Sequence, residues 1–170
     1  MLDFGQLPIE TVIVSGATAR TCYTDAGEHL CHSDDGVAPA ANTTTAQAKK
    51  CAVCVHNAWG SKITPNGKRG KRCREFNQLS LIQPDFLQNL SLVVPATSLR
   101  ALKDYEKSVT SRGEELSNVV TKIDVVESDN RTLLTFRITR FLQVGELDEL
   151  KKKSVTERSA FNVTDGFTLH

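Results

Sequence analysis

The chain has 170 residues, of which 24% are charged and 39% hydrophobic, and this composition is ordinary for a soluble globular protein. No stretch approaches the ~20 apolar residues of a membrane helix, and the N-terminal Met1–Gly5 has no basic region followed by an apolar core, which argues against a secretory signal. We therefore expect a cytoplasmic protein with reduced thiols and no membrane partner.

The formal net charge of +1 conceals one concentrated basic segment. Residues 1–35 hold six acids and one base, whereas residues 49–74 hold eight bases and no acid. The remaining stretch from 75 to 170 holds twelve bases and fourteen acids. A segment with eight positive charges attracts phosphates, and binding of that kind weakens as the salt concentration rises.

The first half of the chain has little regular pattern. The β-branched run at residues 9–14 predicts one strand. Residues 15–50 and 57–71 are rich in glycine and small polar residues, which is typical of loops. Loops of this length inside a compact domain need an anchor, so we expect something other than a hydrophobic core to order this region.

Regular structure is predicted after Cys73. A helix capped by Thr97 or Ser98 and ended by Gly113 has its apolar side chains on one face. The other predicted elements are strands at 74–82, 90–94, 119–126 and 131–142 and a short charged helix at 146–153.

Five predicted strands with one helix between the third and fourth are the pattern of an OB-fold, a partly open five-stranded barrel. We therefore expect a mainly β protein of the α+β class, with an OB-like barrel. The expected organisation is a single domain over residues 1–170, with an inserted zinc-binding lobe at about 29–74 and a loosely ordered tail at 155–170.

The cysteines carry the strongest chemical signal. Cys51-Ala-Val-Cys54 is a C-x-x-C knuckle, whose spacing lets two thiolates face one ion from a tight turn. Cys31 lies nineteen intervening residues before the knuckle and Cys73 lies eighteen after it. Four thiolates close a tetrahedral shell around Zn²⁺, and the binding energy of such a structural site is also folding energy. We predict that Cys31, Cys51, Cys54 and Cys73 hold Zn²⁺ and anchor the two loops.

Alternatives to this site remain open at the level of the sequence. The rival fourth ligands are Cys22, His29, His32 and His56, although we expect Cys22 to be a non-ligand and each histidine to be an ordinary loop residue. The same four thiolates could hold an iron–sulfur cluster, or the cysteines could be buried free thiols. A thioredoxin-like redox pair is disfavoured because no βα unit follows the knuckle.

Aromatic residues are interleaved with the basic segment. Nucleic-acid bases stack on aromatic rings at ~1–3 kcal/mol each, and a basic groove with stacking platforms is typical of sequence-tolerant single-strand binding. The candidate nucleic-acid-binding residues are Trp59, Lys62, Lys68, Arg69, Lys71, Arg72, Arg74, Phe76 and Arg137. The basic residues could instead form a solvated charged face. The Trp59 side chain could instead fill the core of the lobe. Tyr105 is expected to pack in the core.

Three runs of the sequence carry a resemblance. Cys31-His-Ser-Asp-Asp-Gly36, Cys51-Ala-Val-Cys54-Val-His-Asn-Ala-Trp-Gly-Ser61 and Gly67-Lys-Arg-Gly-Lys-Arg-Cys73-Arg resemble a pattern in phage proteins. More distantly, the layout is similar to the helix-destabilising proteins of T-even phages. That resemblance implies a zinc lobe within an OB-fold that coats single-stranded DNA, with the four cysteines as ligands. The T-even site includes a histidine and that family ends in an acidic tail, whereas this chain offers four cysteines and Lys151-Lys-Lys153 near its end.

Single-stranded DNA is therefore the predicted ligand, bound with little sequence preference, with replication or host proteins as further partners. The alternative is a zinc-lobed adaptor that binds a host protein. An enzyme is not expected. The sequence has no phosphate-binding loop, no Gly-x-Ser-x-Gly elbow, no His-Glu-x-x-His and no His-x-Glu near the cysteines. No small-molecule substrate is expected either.

Overall fold

The computed structural model describes Leu2, residues 4–128 and residues 131–161. In these residues the strands are β1 (Ile9–Tyr23), β2 (His29–Ser33), β3 (Lys62–Ile63), β4 (Arg69–Gly70), β5 (Arg74–Gln83), β6 (Gln88–Val94), β7 (Val119–Ser128) and β8 (Arg131–Phe141). The helices are α1 (Leu99–Thr110), between β6 and β7, and α2 (Glu146–Phe161). The prediction of a mainly β protein of the α+β class is confirmed.

The main sheet has six strands in the order β6-β5-β1-β7-β8, with β2 pairing on β1, while β3 and β4 form a separate two-stranded sheet. The β1–β2, β1–β7 and β7–β8 pairings are antiparallel. Over the part of the chain that is described, β6 and β8 remain separate edges, so the sheet does not close into a barrel.

Five strands fall where the sequence predicted them, and three do not. β1 continues to Tyr23, past the predicted end at Val14, and β2, β3 and β4 lie in segments predicted as loops. β2 (His-Leu-Cys-His-Ser), β3 (Lys-Ile) and β4 (Arg-Gly) are short and show no apolar alternation, and each is ordered by pairing with another segment. The prediction of five strands was therefore too low.

Contacts divide the chain into two compact units. The first, called the core unit here, comprises Met1–Gly16, Leu79–Val93 and Thr97–His170. The second, called the cysteine unit, comprises Ala17–Gln78 and Val94–Ala96. The cysteine unit contains all five cysteines and the whole of the segment at about 29–74 that was predicted as the lobe.

The core unit is built around large apolar side chains. Residues from β1, β5, β7 and α2 meet in one cluster, which consists of Val12, Ile82, Val120 and Leu150. α1 adds a buried face made of Leu102, Tyr105 and Val109. Full burial of one such aliphatic or aromatic side chain contributes about 1.5–3 kcal/mol, so this unit has an ordinary hydrophobic core.

Tyr105 packs in the core, as predicted. Its hydroxyl lies 2.6 Å from Oγ1 of Thr121, and its ring stacks on Phe136 with the ring centroids 5.8 Å apart. Burial raises the pKa of the Tyr105 phenol. A buried hydroxyl with a partner avoids the cost of an unsatisfied polar group, so Tyr105 adds both apolar area and a hydrogen bond to this unit.

Ser98 occupies the N-cap position of α1, but its hydroxyl does not cap the helix. The backbone N–H of Leu134 in β8 donates to Oγ of Ser98 at 2.9 Å instead. Ser98 therefore ties the start of the helix to the edge of the sheet. At the other end, Gly113 has a φ of 77°, a left-handed conformation that glycine adopts without strain.

α2 runs to Phe161, beyond the predicted end at 153. Its first turn carries Glu146, Asp148 and Glu149, which interact favourably with the positive end of the helix dipole. Residues 155–161 of the predicted loose tail are thus helical, because Glu, Arg and Ala in this stretch are good helix formers. The rest of that tail, 162–170, lies outside the described residues.

The cysteine unit has no comparable hydrophobic core in its described residues. Its buried apolar side chains are Ala19, Val94, Cys22, Cys51 and Cys73. An unpaired cysteine packs as a small hydrophobe, and it offers much less apolar area than the leucines of the core unit. The interior of this unit is therefore made largely of thiols.

Candidate metal centre and nucleic-acid surface

All five cysteines line one small cavity in the cysteine unit. Cys22, Cys31, Cys51, Cys54 and Cys73 share its wall with Lys50 and His56, and its volume is about 20 Å³. A space of that size holds about one water-sized sphere. The four predicted ligands therefore line one cavity, and Cys22 lines it with them.

The C-x-x-C knuckle forms a tight turn. Cys51 opens a short 3-10 turn, and the backbone N–H of Cys54 donates to the carbonyl of Cys51 at 3.3 Å. The N–H of Cys51 in turn donates to Val37, and the N–H of Cys73 donates to His56 at 2.9 Å. Backbone hydrogen bonds therefore hold the knuckle, the loop before it and Cys73 around the same cavity.

Cys22 is the cysteine that was expected not to be a ligand. It lies on the part of β1 that was not predicted, and it pairs directly with Cys31 of β2. Its side chain is only 2% exposed, the lowest exposure among the three buried cysteines. The β-forming residues Thr18, Thr21 and Tyr23 around it were the available signal that the strand continues.

Burial raises the pKa of three of these thiols, Cys22, Cys31 and Cys73. Burial, and next the nearby Cys22, raise the pKa of Cys73 to about 11. Burial is also the largest cause that raises the pKa of Cys22 and of Cys31. Because the thiolate is the metal-binding form, a divalent cation in this cavity would be needed to stabilise it at neutral pH.

The fit of the cluster to zinc rests on its donor chemistry. Over the described residues, no group of three or more Cys, His, Asp or Glu side chains is arranged as a metal site. The donors themselves are suitable, since thiolates are soft ligands that select Zn²⁺ or iron–sulfur clusters. Four of these thiols would satisfy a structural zinc ion and leave one over.

The histidines separate into two groups. His56 lines the cavity, and its carbonyl accepts hydrogen bonds from Cys73 and from Oγ of Ser61. His29 and His32 are not among the lining residues: their rings contact each other at 5.3 Å, and Nδ1 of His32 lies 3.2 Å from Oγ1 of Thr43. Among the histidines that the structure describes, His56 is therefore the one that lines this cavity.

Arg20 connects the segments around the cavity and was not singled out from the sequence. Its guanidinium donates to the carbonyl of Gly36 at 3.1 Å, to Oδ1 of Asn57 at 2.7 Å and to the carboxylate of Glu75. The side-chain amide of Asn57 then donates to the carbonyl of Cys51 at 2.9 Å. Arg20 thus supports the knuckle through Asn57, in the manner of the outer shell of a metal site.

Gly36 must be glycine at this junction. Its φ of 71° lies in the left-handed region, and a Cβ there would come within 2.9 Å of Cγ2 of Thr18. Just before it, one carboxylate oxygen of Asp35 accepts from the N–H groups of Val37 and Ala38. These hydrogen bonds lower the pKa of Asp35, and they order the loop that leads towards the knuckle.

Trp59 does not fill the core of the cysteine unit. It is 74% exposed, so the alternative in which it plugs the lobe is wrong. The adjacent Gly60 donates through its N–H to the carbonyl of Gly70 in β4, and a Cβ on Gly60 would lie 3.8 Å from Cδ of Arg69. The aliphatic stem of Arg69 therefore passes beside the residue that follows the exposed indole.

The hairpin of β3 and β4 presents further exposed side chains. Ile63, which is 64% exposed, pairs with Arg69, so both project from the same face of this hairpin. Lys62 pairs with Gly70 and is half-buried, and Lys68 at the turn is exposed. The hairpin combines cationic and apolar side chains on a small surface close to Trp59 in the chain.

Two of the cationic side chains that were predicted to contact nucleic acid bind other residues of the cysteine unit. Arg72 makes a two-pronged ion pair with Asp25 at 2.7 and 2.9 Å, and this hydrogen bonding lowers the pKa of that carboxyl. Nζ of Lys71 donates to Oδ1 of Asn57 at 3.1 Å. Arg72 is the one base of residues 49–74 that forms an ion pair with a carboxylate in the described chain.

The remaining predicted contacts lie on long strands of the main sheet. Arg74 is exposed and Phe76 is half-buried, both on the part of β5 that belongs to the cysteine unit. Arg137 is exposed on β8 in the core unit, where it pairs with Lys122. Arg137 therefore belongs to a different unit from the other eight predicted residues.

The comparisons with known proteins add no relative: no family model, no curated protein and no solved structure matches this chain. In the described residues, no helix has both the length and the apolar character needed to cross a membrane.

Proposed function

We propose that this protein binds single-stranded nucleic acid, with single-stranded DNA as the ligand, and that a cysteine-bound zinc ion organises the binding surface. The observation that carries the proposal is the exposure of Trp59, at 74%, within a segment of eight bases and no acid. An indole is rarely left so open to water, and an exposed aromatic ring among cations is what unpaired bases and phosphates contact.

The charge of the surface supports a polyanionic ligand. The exposed bases of the segment are Lys49, Lys50, Lys68, Arg69, Lys71 and Arg74. Each cation that neutralises a phosphate releases a counterion, so affinity should fall steeply with salt. Sequence preference should be weak, because phosphates and ring faces are common to every nucleotide.

Zinc would supply the rigidity that the cysteine unit lacks. The cavity wall offers five thiols, while the buried apolar side chains of the unit are otherwise Ala19 and Val94 in the described residues. A structural site of four thiolates ties its segments together and has no open coordination position for a substrate. A binding protein fits this arrangement, and an enzyme does not.

The fold is proposed to be a variant of the OB-fold. The sheet order β6-β5-β1-β7-β8 leaves β6 and β8 as edges, and pairing between these edges would close a five-stranded barrel. OB-folds bind oligonucleotides on a strand face and its loops. In line with the resemblance, we infer a role in phage DNA replication or recombination in the cytoplasm of the infected host.

A second function is favoured by the apolar part of the same surface. Val53, Val55 and Ile63 are 74%, 70% and 64% exposed, alongside Trp59. Exposed apolar side chains that accompany an aromatic anchor are typical of protein interfaces. The second candidate is therefore an adaptor that binds a host protein through the cysteine unit.

Fluorescence polarisation decides between these candidates. A labelled single strand and its duplex are titrated with the full chain at two salt concentrations, with and without a zinc chelator. We expect the single strand to bind more tightly, and Trp59→Ala to weaken it roughly 5- to 100-fold, since one stacked base contributes ~1–3 kcal/mol.

Phe86→Ala is the matched control, because Phe86 is also an aromatic side chain with 67% exposure, but in the core unit. It should leave the affinity unchanged. Equal affinity for duplex, or an unchanged affinity of the Trp59 variant, contradicts single-strand binding. Retention of one host protein together with no DNA affinity at physiological salt favours the adaptor.

A further inference from the structure

The cavity of the cysteine unit has one thiol more than a zinc ion needs. Zn²⁺ in structural sites is bound by four ligands in a tetrahedron. Five cysteines line the cavity. Either one thiol is excluded from the metal permanently, or two of them can occupy the same coordination position.

The pairing of β1 with β2 identifies the two thiols concerned. Cys22 and Cys31 are direct partners in this antiparallel pair, flanked by Thr21 opposite His32. Side chains of directly opposed residues project from the same face, with Cβ atoms about 4.5–5.5 Å apart. Both thiols therefore approach the cavity from the same side and from adjacent strands.

Distances in zinc sites make the two thiols equivalent in reach. A Zn–S bond is about 2.3 Å long, and the Cβ atoms of an opposed pair are about 4.5–5.5 Å apart, so an ion beside this pair is close to both sulfurs. An ion that reaches the sulfur of Cys31 thus lies within a side-chain rotation of the sulfur of Cys22.

The other three thiols have no such neighbour along a strand. Cys51 and Cys54 are the two ends of one tight turn, and the backbone N–H of Cys73 is held by His56. Each of these three is fixed by a separate backbone hydrogen bond at the cavity. A four-coordinate ion bound by these three thiols would need one more ligand, which the β1–β2 pair can supply.

We propose that Cys22 and Cys31 are interchangeable ligands for the fourth coordination position of the ion, with Cys51, Cys54 and Cys73 as the constant three. The chain then carries a reserve ligand directly opposite the one in use. This inference rests on the proposed zinc site and assigns Cys22 a role in it.

Cobalt(II) substitution tests the proposal in the full-length protein. The intensity of the thiolate-to-cobalt charge-transfer band increases with the number of bound thiolates, and elemental analysis gives the zinc content in parallel. The variants are Cys22→Ser, Cys31→Ser, the double variant and Cys73→Ser as the control. A chelator titration measures the affinity of each for zinc.

Both single variants at the pair should keep the wild-type band intensity and one zinc per chain, because the remaining thiol takes the position. In the double variant, the band intensity should fall by the contribution of one thiolate. Its zinc affinity should fall by at least about 10-fold, which is the smallest loss of metal affinity expected when an outer-shell residue is mutated. Cys73→Ser should resemble the double variant, because the proposal lets only one of Cys22 and Cys31 bind the ion at a time.

The contrast between Cys31→Ser and Cys73→Ser keeps the test decisive even where the double variant does not fold. A Cys31→Ser protein that loses a thiolate as Cys73→Ser does overturns the inference, and so does a Cys22→Ser protein that loses one. A wild-type chain that binds neither zinc nor cobalt overturns the proposed function itself. The two failures are thus distinguishable.

Discussion

The core unit and the cysteine unit differ in the side chains that they bury. In the core unit, β-strands and two helices bury leucine, isoleucine and valine, many of them with almost no exposure. In the described residues of the cysteine unit, the buried apolar side chains are three thiols, one alanine and one valine. Hydrophobic burial accounts for the stability of the core unit, whereas the cysteine unit buries too little apolar area to be stabilised in this way.

Polar contacts take the place of a hydrophobic core in the cysteine unit, together with the proposed metal ligands. Arg20 joins Gly36, Asn57 and Glu75, while Asp35 holds the turn that follows β2. Each of these contacts fixes geometry, and those of Arg20 involve its charged guanidinium, so each of them contributes about 1.5–3 kcal/mol. With zinc bound as proposed, the surface carrying Trp59 is ordered in part by an ion that can be removed, whereas the core unit is ordered by its own buried side chains.

Removal of the proposed zinc ion should have the largest effect on stability, and it should affect the cysteine unit without affecting the core unit. Structural zinc contributes about 10–16 kcal/mol of apparent binding free energy in small zinc domains. A chelator should therefore abolish hydrogen-exchange protection of amides in residues 17–78, while amides of β7 and α1 stay protected. The measurement is hydrogen exchange by mass spectrometry on the full chain.

A chelated protein with unchanged protection throughout would show that the cysteine unit needs no metal, and the comparison would fail. Loss of protection in both units would show that they unfold together. Addition of excess zinc after chelation is the control, because it should restore the protection of residues 17–78.

Truncation of a buried side chain tests how far the core unit depends on hydrophobic burial. Leu92→Ala removes a side chain of β6 that has no exposed surface, and it should lower the free energy of unfolding by about 2–5 kcal/mol. Val53→Ala in the cysteine unit removes a side chain that is 74% exposed, and it should change that free energy by less than about 0.5 kcal/mol. Urea titrations of both variants, with zinc present, measure the difference.

Comparable losses for the two variants would mean that Val53 is covered in solution, as in the adaptor hypothesis. A partner or second copy on that face would then be detected by size-exclusion chromatography with light scattering.

Much of the core unit could be predicted from the sequence because its signals are local. Alternating apolar residues in β5, β7 and β8 and the apolar face of α1 each identify their own element. Tyr105 was assigned to the core on the same ground, since it shares a helix face with Leu102 and Val109. Residues 155–161 were missed because the run Val155-Thr-Glu-Arg-Ser-Ala-Phe161 has no apolar residues three or four positions apart.

The cysteine unit was predictable in its chemistry but not in its geometry. The spacing of Cys31, Cys51, Cys54 and Cys73 indicated a shared site, and these residues do line one cavity. The place of Cys22 depends on the pairing of β1 with β2, which no local pattern encodes. The exposure of Trp59 and the ion pair of Arg72 with Asp25 are likewise set by segments distant in the chain.

The smallest of these effects tests whether polar contacts replace a core in the cysteine unit. Arg20→Lys keeps the positive charge but loses the planar fork that reaches Gly36, Asn57 and Glu75 together. Because hydrogen bonds to charged groups contribute about 1.5–3 kcal/mol, we expect a loss in that range. Tyr105→Phe is the comparison in the core unit, and it should cost about 0.5–1.5 kcal/mol, since only the bond to Thr121 is lost.

The two variants should also differ in what they disturb. Arg20→Lys should speed the release of zinc to a chelator, because Asn57 would lose the contact that orients it towards the carbonyl of Cys51. Tyr105→Phe should leave that rate unchanged, since its hydroxyl contacts Thr121 within the core unit. Equal rates for both variants and the wild type would mean that Arg20 only adds stability, and that the knuckle is held by its own backbone hydrogen bonds.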